Sequence, residues 1–156
     1  MSKEERLLEG LLKILQDLRM RSDEGTPIIV EGRNDVDSLK ELGVNGKILK
    51  VKGCNMGLYD FIYSLSSEEE AIILTDFDRE GDEIATELTR ELTKIGVKAD
   101  NRLRRKIKCL IRHEVVGVED LPDYLERLTL EGGIKKMSRE QGMFTETHDI
   151  LRESIK

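Results

Sequence analysis

The chain has 156 residues, enough for one domain with a sizeable core, or one domain with a helical extension. Charged residues make up 37% and the net charge is −6, which argues against indiscriminate coating of nucleic acid but leaves room for a local basic face. Cys54 and Cys109 lie far apart with no CxxC companion, no apolar run approaches the ~18 residues of a membrane span, and the N-terminus lacks the apolar core of a signal peptide; zinc, a disulfide framework and a membrane span are not indicated, and a reducing cytoplasm is the expected compartment.

The opening segment reads as a helix. Leu7, Leu8, Leu11, Leu12, Ile14, Leu15 and Leu18 recur at helical spacing, Ser2 and Glu5 suit a capping box, and the stop falls near Arg21 or Ser22. These leucines suit a core or a homodimer face. A turn-rich linker, Asp23 to Pro27, leads into three strand-loop-helix units. The expected strands are Ile28–Glu31, Lys47–Val51 and Glu70–Thr75. The expected helices are Asn34–Leu42, closed by Gly43, then Met56–Leu65, and Gly81–Ile95, ended by Gly96. Ile107 to His113 reads as a fourth strand and Asp120 to Leu130 as a helix with Pro122 in its first turn. Gly132-Gly133 is expected to break the chain ahead of a polar tail from Ile134 to Lys156. The alternation implies an α/β fold, a mainly parallel sheet with helices on both faces.

In an open parallel sheet, ligands bind outside the carboxyl ends of the strands. Glu31 should stand there at the end of the first strand, with Asp76 and Asp78 at the end of the third. If those strands are neighbours, three carboxylates converge and repel unless a cation sits among them. The cluster is all oxygen, which selects Mg2+, with Mn2+ as a substitute.

Val30-Glu31-Gly32 with Asp35, followed by Thr75-Asp76-Phe77-Asp78-Arg79-Glu80-Gly81-Asp82, resembles the two signature motifs of the Toprim domain. That domain is shared by type IA topoisomerases, bacterial-type primases, OLD-family nucleases and the ribonuclease that matures 5S ribosomal RNA. The second motif is most similar to the topoisomerase form, with Phe77 where proline is usual and Asp82 where glutamate is usual. The resemblance implies a Toprim fold of four strands over 26–130, preceded by a helix and linker over 1–25 and followed by an extension over 131–156. It implies that Asp76 and Asp78 coordinate Mg2+ and that Glu31 is a general acid/base or a metal-site residue. Asp82 matches a further acidic position that assists the metal, Gly32 and Gly81 match tight-turn glycines, and Asp35 orients the helix after the first strand. The chain is most similar to small stand-alone Toprim proteins, and Val115-Val116-Gly117-Val118-Glu119 resembles a stretch of the 5S-RNA maturase.

Arg102, Arg104, Arg105, Lys106, Lys108 and Arg112 form one dense basic patch. It suits the backbone of a nucleic-acid strand, as does Arg79, and it equally suits a solvated surface. Tyr59, Tyr63 and Tyr124 fall in predicted helices and read as packing residues, and an aromatic content of 4% removes the usual base-stacking platforms. His113, at the end of the expected fourth strand, reads as a surface or satisfied histidine ahead of one leaning toward the same edge, and His148 in the tail is given no role. The expected function is Mg2+-dependent phosphotransfer on nucleic acid, with phosphodiester hydrolysis of RNA ahead of DNA. The alternative is a non-catalytic, metal-dependent nucleic-acid-binding module within a larger processing complex.

Overall fold

The computed structural model describes residues 1–140, with side chains through residue 131. Helix α1 (Lys3–Asp23) is followed by β1 (Ile28–Val30), α2 (Arg33–Glu41), β2 (Ile48–Lys50), α3 (Leu58–Tyr63), β3 (Glu70–Ile73), α4 (Arg79–Lys94), β4 (Lys98–Asp100), α5 (Arg102–Ile111) and α6 (Leu121–Glu140). A single 3-10 turn, Val118–Asp120, precedes α6. Ser2 caps α1 by accepting the Glu5 N–H at 3.1 Å. Gly43 and Gly96 follow α2 and α4 at positive φ (87° and 81°), which is how glycine ends a helix. Among the described residues, no helix is long and apolar enough to cross a membrane.

The four strands form one all-parallel sheet in the order β2-β1-β3-β4. Side chains alternate across it with the period of two that a pleated strand imposes. Ile28, Val30, Ile72 and Leu74 face one core with the apolar stripe of α1 and residues of α2, α5 and α6. Ile29, Ala71 and Ile73 face the other core with α3 and α4. Leu8, Leu11, Ile14, Leu15 and Leu18 of α1 are buried, so the leucine stripe belongs to the core rather than to a dimer face.

Two expected elements are corrected. The fourth strand is Lys98–Asp100, and Ile107 to His113 belongs mostly to helix α5. Leu103, Ile107 and Ile111 are buried at a spacing of four, the helical period, whereas the Cys109-Leu110-Ile111 run imitates a short strand. The true strand is a three-residue edge whose one apolar residue is Ala99, too little for any pattern to reveal. Gly132 and Gly133 lie within α6, which runs on to Glu140. Each costs about 1 kcal/mol of helix propensity without forbidding the conformation. The rest of the expected tail, with His148, lies outside the described residues.

One buried ion-pair network ties α1 to the far side of the sheet. Arg21, at the end of α1, pairs with Asp100 of β4 and with Glu70 of β3 (3.0 Å). Asp100 also accepts the Arg102 main-chain N–H at 2.9 Å, fixing the start of α5. Its side chain is 1% exposed, and the flanking Arg102 and Arg21 guanidiniums hold its carboxyl well below the usual carboxylate range. Because the folded pKa is depressed, this stability is fully present above roughly pH 4 and is lost as the pH falls through the folded value. Asp100→Asn should therefore cost about 3 kcal/mol near neutrality, at the low end for a broken buried pair because Glu70 remains. Urea unfolding of both proteins checks this: the gap should narrow steadily below pH 4, and a gap independent of pH would refute the assignment.

Candidate metal centre

Strand β1 has β2 on one side and β3 on the other, so successive crossovers leave it in opposite directions and open a crevice at the carboxyl ends of β1 and β3. Glu31 follows β1 directly and is 5% exposed. Its Oε2 accepts the main-chain N–H of Asp76 at 2.8 Å, which bridges the two strand ends. Its Oε1 lies 3.2 Å from the Lys52 ammonium. The Lys52 main-chain N–H donates to the Glu31 carbonyl at 2.8 Å, extending the β1–β2 ladder and placing the lysine beside the glutamate. Lys52 also reaches Glu80 at 2.7 Å, and Glu80, then Glu31, push its pKa up to about 12.

Asp76 and Asp78 share a pattern. The Asp76 Oδ1 accepts the Val118 N–H at 3.0 Å. The Asp78 Oδ1 accepts the Gly81 N–H at 2.7 Å, making Asp78 the N-cap of α4. Among the described residues, the Oδ2 of neither aspartate has a partner. Burial, with Asp35, Glu31 and Asp78 adding negative charge around it, pushes the Asp76 carboxyl up to about 7 despite the Val118 N–H. Asp35 turns back to accept the Gly32 N–H at 3.0 Å, closing the start of α2, and burial raises its pKa as well.

The loop between β3 and α4 is clamped from below. Thr75 Oγ1 donates to the Gly81 carbonyl at 2.7 Å. A Cβ on Gly81 would lie 1.8 Å from the Asp76 carbonyl oxygen, so glycine is required there by close approach. Arg104, 5% exposed, donates to the carbonyls of Thr75 (3.1 Å) and Asp76. Asp82 is held by Arg104 and Lys108, each at 2.7 Å, and these cations, Lys108 foremost, lower its pKa. Phe77 N–H donates to the Val116 carbonyl at 2.7 Å, so Val116 to Val118 grip the loop from the other side.

The donor set suits a hard cation. Two carboxylates from one loop each keep one oxygen fixed by the main chain and one without a partner, and Mg2+ commonly takes only one or two carboxylates, with waters and phosphate oxygens completing the shell. Among the described residues there is no ready-made group of three acidic, histidine or cysteine ligands. Both Glu31 oxygens are engaged, one by the Asp76 N–H and one by Lys52.

The Toprim domain model matches residues 26–110. The chain belongs to the Toprim family. Its relatives include UPF0292 proteins from Methanosarcina acetivorans (34% identical, covering 81% of this chain and 88% of the relative) and Pyrococcus horikoshii (38% identical, covering 72% and 83%). A solved protein from Aquifex aeolicus shares the fold, with a TM-score of 0.58 at 24% identity over 69% of this chain and 94% of that one. Toprim domains generally bind Mg2+ through acidic residues.

Within this Toprim domain, other expected site residues fall into separate groups. Arg102, Arg105 and Lys106 are exposed on α5, although Arg102 also pairs with Asp100 at 2.9 Å. Arg79 is almost wholly exposed and lies 3.5 Å from Glu83. Arg104 and Asp82 instead brace the loop. Gly32 has extended backbone and open space where a Cβ would stand, so it is no tight turn. His113 lies beyond the far end of α5, among Lys3, Tyr124 and Arg127, away from the carboxylates. Arg104, expected with the basic patch, is turned inward onto the Thr75 and Asp76 carbonyls, while Lys52 beside Glu31 and the Val116–Val118 grip carry no local sequence signal beyond the likeness of Val115–Glu119 to another Toprim protein.

Gly81→Ala should cost at least about 3 kcal/mol, because the obstacle is backbone. Gly32→Ala should change stability by less than about 1 kcal/mol. Thermal unfolding of the two variants measures both, and a tolerated Gly81→Ala would contradict the close approach.

Proposed function

We propose that this Toprim protein hydrolyses nucleic-acid phosphodiesters in a Mg2+-dependent reaction, with RNA ahead of DNA. The observation that carries the reading is the paired arrangement of Asp76 and Asp78, each with one oxygen immobilised and the other without a partner. Bound Mg2+, with Mn2+ as a substitute, supplies Lewis-acid neutralisation of the phosphodiester. Asp76 and Asp78 hold the cation. Glu31 sets the height of the loop through the Asp76 N–H, and once Lys52 moves from it onto the phosphate its Oε1 takes the proton of the water that attacks phosphorus, the departing ester oxygen gaining its proton from solvent. Arg104 fixes the Asp76 carbonyl, and Asp82 acts through Arg104 and Lys108 rather than as a ligand. The preference for RNA rests on the Val115–Glu119 segment, which resembles the 5S-RNA maturase and here bonds directly to Asp76 and Phe77.

The exposed face of α5 suits the approach of a nucleic-acid backbone. As a helix rather than a strand, Arg102–Ile111 turns Leu103, Ile107 and Ile111 inward and leaves Arg105 and Lys106 in solvent, with no acidic residue in the helix. Arg105→Gln with Lys106→Gln should reduce the slope of log affinity against log salt by about 1.4 for a single strand, 0.7 per lost cation. Fluorescence anisotropy across a salt series reads this directly, and an unchanged slope removes α5 from the interface.

A second reading, a metal-dependent binding module without its own catalysis, draws support from the lack of a third ready ligand among the described residues. The two readings part in one assay. Purified protein incubated with structured RNA and DNA in Mg2+ or Mn2+ should cleave, RNA faster, and Asp76→Ala should abolish cleavage. Binding without cleavage on any substrate would leave the module reading standing and the hydrolase reading refuted.

A further inference from the structure

The tyrosines of α3 do not pack. Leu58, Phe61, Ile62 and Leu65 turn inward at helical spacing and join the core shared with α4. Tyr59 and Tyr63, one turn apart, face the other way and are 75% and 73% exposed. The third tyrosine, Tyr124, is 6% exposed and lies against the Arg127 guanidinium at 5.0 Å. An exposed ring pair is unusual in a chain whose aromatic content is 4%.

The position of α3 gives these rings a context. The helix begins just beyond the carboxyl end of β2, the edge of the sheet that carries Glu31, Asp76 and Asp78. The connecting loop carries Lys52, whose ammonium touches Glu31. That loop is pinned by the Cys54 thiol, which donates to the Val51 carbonyl at 3.2 Å. Following the carboxyl edge in strand order, the chain presents α3 beyond β2, the carboxylates beyond β1 and β3, and the basic helix α5 beyond β4.

We propose that Tyr59 and Tyr63 form a base-stacking platform for single-stranded nucleic acid whose backbone passes the metal centre. The proposal rests on the nucleic-acid reading above. Tyrosine faces accept any base, each stacked base contributing roughly 1–3 kcal/mol. Ring attachments at i and i+4 are about 6 Å apart along a helix axis, wider than the ~3.4 Å spacing of bases stacked within a duplex strand. The platform therefore fits bases splayed from a single strand and not a closed duplex. Exposed Asp60 and Ser64 follow each tyrosine directly and Met56, 49% exposed, precedes Tyr59, so the two rings are interrupted by polar side chains along the helix with a single apolar neighbour at its start. Lys52 and the basic face of α5 supply the charge complementary to the phosphates.

The chain has no tryptophan, so its intrinsic fluorescence reports tyrosine alone, and two of the three tyrosines are the exposed pair. A short single-stranded oligouridylate should quench that emission in the wild type. Tyr59→Ala and Tyr63→Ala should each weaken its binding roughly 5-fold to 150-fold, whereas Tyr→Phe at either position should bind like the wild type. Binding of a fully paired duplex, and the thermal shift induced by Mn2+, should be unchanged in the alanine variants. Single-strand affinity unaffected by the double alanine variant, or binding without quenching, overturns the platform while leaving the metal reading intact. A wild-type dimer that the double variant dissociates in sedimentation also overturns it, since the face would then be a contact between copies. No binding of any nucleic acid by the wild type removes the platform and the nucleic-acid reading together, and a missing Mn2+ shift separates off the failure of the metal reading.

Discussion

The hydrogen bond from the Asp76 main chain to the Glu31 carboxylate joins residues 45 positions apart and sets the geometry of the whole carboxyl edge. It exists because β1 and β3 are parallel neighbours with Ile29 opposite Ile73, so their ends emerge side by side. A carboxylate spent on a backbone donor cannot swing, and the donor cannot drift. The loop that follows is then fixed on its other sides by Arg104, by the Val116–Val118 segment and by contact with Gly81.

This arrangement stores electrostatic tension. Glu31, Asp35, Asp76 and Asp78 share one partly buried region, and the effect concentrates on Asp76, whose proton is held up to about 7. Lys52 offsets part of it, on the Glu31 side alone. A cation between Asp76 and Asp78 would relieve the remainder, which is why metal binding and stability should be linked in this domain. Such locally unfavourable clusters, supported by a well-packed surrounding, are characteristic of sites selected for chemistry rather than for stability.

Much of this was legible in the chain, for identifiable reasons. The strand Ile28–Val30 and the run Ala71–Ile73 of β3 are apolar on both faces and bounded by polar segments, so their pairing and the convergence of Glu31 with the Asp76 loop could be expected from parallel-sheet rules. Ser2, Gly43 and Gly96 act at helix ends as their chemistry suggests. The illegible parts are those decided by tertiary context. Lys98–Asp100 is a strand only because β3 offers it an edge, and α5 was hidden by an apolar run that also satisfies a strand. Arg104 looked like one cation among many, and nothing local distinguishes it from Arg105, which points into solvent one residue later. The tyrosines of α3 face solvent rather than packing, because helical position alone does not say which face is inward and Phe61 and Ile62 claim that face.

The central claim is that Asp76 and Asp78 hold a divalent cation at the carboxyl end of β3. Crystals soaked in Mn2+ and measured at its absorption edge test it most directly. The account predicts one anomalous peak within bonding distance of the Oδ2 atoms of both aspartates, absent from Asp76→Asn crystals. A peak elsewhere on the molecule, or none at concentrations that shift the melting temperature, would contradict it.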